Sequence, residues 1–89
     1  MALFFFRERL AGVPVTKYDL LDYLADAGSA DAMDAASAFD ITYANAAMSL
    51  LRLLRQGLVH RYVDVEHGLY YYDLTDRGRE RLAFLRNHP

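Results

Sequence analysis

The sequence predicts a mainly α-helical domain with one small β-hairpin, and three observations predict it. Apolar residues recur at helical spacing through three segments between Lys17 and Gln56. The pattern then switches to β-branched and aromatic runs on both sides of "EHG". A last segment, led by a threonine, returns to helical spacing. The chain has 89 residues, room for one domain with one modest core. Folding at this size hides only roughly 60% of the surface an unfolded chain exposes, so marginal stability or help from a partner subunit is expected. No internal repeat or linker divides the chain, and residues 1–89 read as a single domain, with an aromatic segment over 1–15 and the core over 16–89.

The first helix opens in "PVTKYDLLDYLADAG", where Thr16 is the N-cap and Asp19 completes a capping box. Leu20, Leu21, Leu24 and Ala27 share one face, and Gly28 ends the helix. A second, short helix spans roughly Asp31 to Phe39, with Ala32, Ala35, Ala36 and Phe39 inward, and its alanines allow a close helix approach. "DIT" is the turn: Asp40 tolerates unusual dihedrals and Thr42 caps the next helix. That third helix runs from about Tyr43 to Gln56, its core stripe formed by Ala46, Leu50, Leu53 and Leu54 and broadened by Ala47 and Leu51. Gly57 stands where a left-handed cap is wanted. "LVHRYVDV" and "LYYYDLT" then form a two-stranded hairpin turning at Gly68. Alternation turns Tyr70 and Tyr72 inward with Leu74 and leaves Tyr71 outward. Thr75 caps a last helix whose Gly78, Leu82 and Leu85 face inward. Helix, helix, helix, hairpin, helix is the order of a winged helix–turn–helix: a three-helix core, a two-stranded wing and a C-terminal helix.

The formal net charge is −2, which by itself disfavours a nucleic-acid partner. Its distribution points the other way. Between Leu10 and Asp40 the only base is Lys17, against the aspartates at 19, 22, 26, 31, 34 and 40. From Ile41 to Val63 there is no acid, while Arg52, Arg55, Arg61 and His60 are present. Within the third helix Asn45, Ser49, Arg52 and Gln56 follow i, i+4, i+7, i+11 spacing, with Thr42 leading the row. All can donate hydrogen bonds, and these are the chemistries that read base edges in a major groove. Asn45 and Ser49 lie nearer the end of the helix that reaches bases, and Arg52 and Gln56 nearer a phosphate or a groove wall. Tyr43 and Arg55 flank the row and suit backbone contact. An ordinary solvated helix would carry Glu and Lys pairs here instead. Arg61 has two equal readings, a phosphate contact or a salt bridge to Asp73 or Asp64. Arg77, Arg79 and Arg81 are interleaved with Asp76 and Glu80 and read as a solvated face.

Other classes of function find little support. There is no cysteine, hence no disulfide and no thiolate metal site, and the composition fits a cytoplasmic protein. "MALFFF" is too short for a signal peptide or a membrane span. No Gly-rich phosphate loop or nucleophile–base arrangement is present, so neither catalysis nor a cofactor is expected. His60, Asp64, Glu66 and His67 share the hairpin, but strand alternation does not converge them, and no metal site is expected. Three consecutive phenylalanines cannot all enter one small core. Phe4, Phe5 and Phe6, with Leu10, are therefore candidates for dimer contacts, with partial burial under the last helix as the alternative.

"LLRLLRQGLVHR" followed by "YYYDLTDRGRERL" resembles winged-helix regulators of the MarR and PadR kind and their small archaeal relatives. The shared elements are Leu50, Leu53, Gly57, Leu58, Val59, Arg61, Leu74, Thr75, Gly78 and Arg79, and the match covers Thr16 to Leu85. The resemblance implies a homodimer that binds double-stranded DNA, its third helix in the major groove, as a transcriptional regulator. Two such helices about 34 Å apart read a palindromic site. The alternative is a winged-helix module that binds protein, using the acidic first half or the phenylalanines. Two departures from the family pattern stand out. The wing tip carries Asp64 and Glu66 with only His67 as a possible donor to DNA, and the chain stops at "RNHP" without a long dimerisation helix.

Overall fold

A computed structural model describes residues 14–88. The elements are α1 (Lys17–Ala27), β1 (Ala30–Asp31), α2 (Ala32–Phe39), α3 (Tyr43–Arg55), β2 (Val59–Asp64), β3 (Leu69–Leu74) and α4 (Asp76–Asn87). The sheet has three antiparallel strands in the order β1-β3-β2, one more than the expected hairpin. The added strand is two residues long, Ala30 opposite Tyr72 and Asp31 opposite Tyr71. Neither Ala nor Asp favours a strand by itself; β1 exists because β3 offers it an open edge. Asp31 also caps α2, so that helix begins one residue later than expected.

The helix termini arise from local chemistry. Thr16 Oγ1 accepts the Asp19 N–H at 3.1 Å, and Asp19 Oδ2 accepts the Thr16 N–H at 2.9 Å. Asp31 and Asp34 repeat the box at 2.7 and 3.1 Å, an aspartate serving as the cap. The turn between α2 and α3 depends on Asp40, whose φ of 55° is left-handed. Thr42 Oγ1 then accepts the Asn45 N–H at 3.1 Å and starts α3.

The core collects Leu20, Leu21 and Leu24 of α1, Ala32, Ala35, Ala36 and Phe39 of α2, and Ala46, Leu50 and Leu53 of α3. Leu58, Val59, Tyr72, Leu74 and Leu82 close it from the wing and α4, while Leu54 and Leu85 pack against it half-buried. The junction of α3, the wing and α4 is held by one hydroxyl. Thr75 Oγ1 donates to the Gly57 carbonyl at 2.8 Å and accepts the Gly78 N–H at 2.9 Å. Gly57, at φ 75°, ends α3 with its N–H on Leu54 O, and the Leu58 N–H reaches Leu53 O, both at 3.0 Å. The direction in which α3 leaves the wing is therefore set by paired backbone groups.

The expected burial of Tyr70 is corrected. Tyr72 is 5% exposed, but Tyr70 is 53% exposed. Both lie on the same face of β3, as alternation requires, yet the hairpin extends past the end of the core at Tyr70. Tyr71 is half-buried and stacks on Tyr62 of β2, with ring centroids 6.0 Å apart. Phe4, Phe5, Phe6 and Leu10 lie outside the described residues. No described helix is long and apolar enough to cross a membrane.

Candidate nucleic-acid interface

Burying Ala46, Leu50 and Leu53 turns the opposite side of α3 to solvent. Ala44, Asn45, Met48, Arg52, Arg55 and Gln56 are exposed there, and Ser49 is half-buried at the side. The polar row expected from spacing is therefore real but off-centre. The crest of the helix passes through Ala44, Met48 and Arg55, with Arg52 between crest and row. Spacing found the polar residues. The row passed over Met48, which is 47% exposed at the middle of the crest, although position 48 lies opposite the Ala46, Leu50 and Leu53 stripe and the signal was present in the spacing.

The row shares surface hollows with the chain that leads into α1. Asn45, Met48, Ser49 and Arg52 line a hollow of about 440 Å³ with Pro14, Val15 and Ile41. Ser49, Arg52 and Gln56 border a smaller one, about 110 Å³, with Thr16 and Lys17. Lys17, the single base of the acidic half, thus stands beside the basic helix. The Thr16 cap puts it at the start of α1, and the packing of α1 on α3 brings it beside Arg52.

Charge pairing separates the arginines. Arg86 of α4 donates to Asp22 at 2.6 Å, and Arg79 to Asp76 at 3.2 Å. The bond to Asp22 raises the Arg86 pKa further above its ordinary value, with a smaller contribution from Tyr18. Arg52 and Arg55 of α3, like Arg77 and Arg81 of α4, have no ion-pair partner among the described residues. The first turns differ in the same sense: α1, α2 and α4 carry Asp19, Asp34 and Asp76, whereas α3 carries no acid. An uncompensated N-terminus attracts anions. Tyr43 is 59% exposed in that first turn, while the Thr42 hydroxyl is occupied as the cap.

The wing is of another character. Arg61 joins neither Asp73 nor Asp64 among the described residues; its guanidinium lies 4.5 Å from the centre of the Tyr70 ring. At the tip Asp64 Oδ2 is 2.8 Å from His67 Nδ1, so the expected DNA donor His67 is held by a carboxylate. Asp64, Glu66 and His67 bring ligand-type atoms within 4.8 Å of one another. This corrects the expectation that the hairpin would keep them apart: the turn gathers three of the four groups, and His60 remains on the strand. The acidic character extends to the base of the wing. There desolvation first, then the charges of Asp31, Asp64 and Asp34, raise the Tyr71 pKa above 10.0.

A three-helix core with an antiparallel wing, and an acid-free third helix exposed along its length, define a winged helix–turn–helix protein. Residues 11–68 match the MarR family, and the chain belongs to that family. No curated protein matches the chain. Among solved structures it is similar to a MarR family transcription regulator, with 27% identity and TM-score 0.75 over 86% of this chain and 52% of that one. It is also similar to a probable transcriptional regulator of Pseudomonas aeruginosa, with 23% identity and TM-score 0.73 over 96% of this chain and 65% of that one. A third is BpsR of Bordetella bronchiseptica, described for the regulation of its DNA binding by 6-hydroxynicotinic acid. It shares 21% identity and TM-score 0.74 over 97% of this chain and 62% of that one. The chain thus spans between about half and two thirds of the length of these structures.

Proposed function

We propose that the protein is a homodimeric, cytoplasmic transcriptional regulator that binds double-stranded DNA with α3 in the major groove. The observation that carries this reading is the absence of acid from α3: α1, α2 and α4 each carry an aspartate in the first turn, whereas α3 carries none and presents Arg52 and Arg55 to solvent without a described ion-pair partner. Arg52, Arg55 and Arg61 contact phosphates in this reading, Asn45 and Ser49 contribute to base reading, and Thr42 adds only the O–H that its capping role leaves free, with Tyr43 at the backbone and Gln56 at the groove wall. His67 comes to the backbone only if it leaves Asp64.

Titration of a mixed-sequence duplex at increasing salt tests this. Binding is expected at low salt, with log K falling by about 0.9 per phosphate neutralised for each tenfold rise in salt. In Arg52→Ala the slope is expected to shrink by about one unit. Weaker binding with an unchanged slope would instead assign Arg52 to base reading.

A second reading keeps the fold and changes the partner to a protein. The wing tip favours it, since Val65 is 88% exposed between Asp64 and Glu66. A folded dimer that fails to bind any duplex at low salt would select this reading over the first.

A further inference from the structure

We infer that Met48 reads the 5-methyl group of a thymine, so that the DNA sites of this protein carry a thymine under the centre of α3. The inference rests on the proposed DNA binding and deepens it. Met48 is a large apolar side chain, exposed on a face whose other exposed residues are Ala44, Asn45, Arg52, Arg55 and Gln56. It lies one helical turn from Ala44 on one side and from Arg52 on the other, and three residues beyond Asn45. Ala44 is small and leaves Met48 as the most projecting apolar group of the crest. Asn45 and Arg52 also line the hollow that Met48 borders, so donors and thioether face one space.

In a major groove the methyl of thymine is the one apolar feature among the base edges, and apolar side chains recognise it. A thioether is well suited to this contact, being unbranched, polarizable and adaptable to a small convex group. The flanking residues supply what a methionine cannot. Asn45 can pair with adenine and Arg52 with guanine or phosphate, which fixes the register in which the methyl meets the sulfur.

The test begins by selecting sites from a random duplex pool with the 89-residue chain. Each thymine of the selected site is then replaced in turn by deoxyuridine, which lacks only the methyl. One position per half-site is expected to weaken binding about fourfold, the effect of withdrawing one buried methyl-sized group. In Met48→Ala the same replacement is expected to change nothing, while the salt slope stays that of the wild type. Met48→Leu keeps an apolar group and is expected to keep the deoxyuridine penalty. Equal thermal melts of the three proteins show that folding is not the variable. Wild-type binding indifferent to deoxyuridine at every position overturns the inference, and so does a penalty that persists in Met48→Ala. Either result leaves the DNA-binding reading intact. Failure of the chain to bind any duplex at low salt overturns both.

Discussion

Gly78 is buried where α4 passes the start of the wing, and a Cβ there would be driven into the carbonyl oxygen of Leu58. That carbonyl also accepts the Thr75 N–H at 3.0 Å, so it cannot turn aside without breaking the junction. On an exposed helix, Gly→Ala gains about 1 kcal/mol from propensity. At Gly78 the overlap outweighs that gain, and Gly78→Ala is expected to lose about 2 kcal/mol net, read as a lower urea midpoint. A stabilised variant would show that the junction is looser than its hydrogen bonds indicate. Single residues of α3 divide in the same way between structure and contact. Thr42 has its hydroxyl on the Asn45 N–H, whereas Arg52 and Arg55 lack described partners and remain available.

The wing tip and α3 are opposed in charge and are joined through the hydrogen-bonded junction at Gly57 and Thr75, so in the proposed complex they do not both approach phosphate with equal benefit. Asp64 and Glu66 at the tip repel the backbone that Arg52 and Arg55 attract. Glu66→Gln removes one of these charges without disturbing the Asp64–His67 contact. It is expected to tighten low-salt duplex binding several-fold, with the gain shrinking as salt screens the charges. No change at any salt would mean that the wing stands clear of DNA and leaves recognition to α3. The hairpin itself was legible from its aromatic and β-branched runs, but the extent of its cover was not. Alternation assigns Tyr70 and Tyr72 to one face without saying where the core beneath them ends.

For the molecule as a whole, the proposed function calls for a second copy: one α3 is too small a reader for a specific site, and two related by symmetry would supply the contacts that one lacks. The aromatic run at Phe4, Phe5 and Phe6 is the proposed contact between copies. Replacing all three with serine is expected to shift sedimentation from dimer to monomer and to weaken specific binding far more than non-specific binding. A triple variant that still sediments as a dimer would move the interface elsewhere on the chain.

The helices, their caps and the chemistry of the third helix are legible in the residue order alone, because these depend on neighbours within four residues. Capping boxes at Thr16 and Asp31, the left-handed turns at Asp40 and Gly57, and the acid-free row from Thr42 to Gln56 are all local facts. The second box is the harder of the two to see, since an aspartate cap reads as the first residue of its helix. Tertiary packing settled whatever depends on distant partners. It paired Ala30 and Asp31 with β3, set Lys17 beside Arg52, gathered Asp64, Glu66 and His67 at one tip, and left Arg61 over Tyr70 instead of on a carboxylate. It also left Met48 uncovered. Helical spacing puts Met48 opposite the stripe of Ala46, Leu50 and Leu53, but whether another element packs over that side is decided only by the tertiary fold.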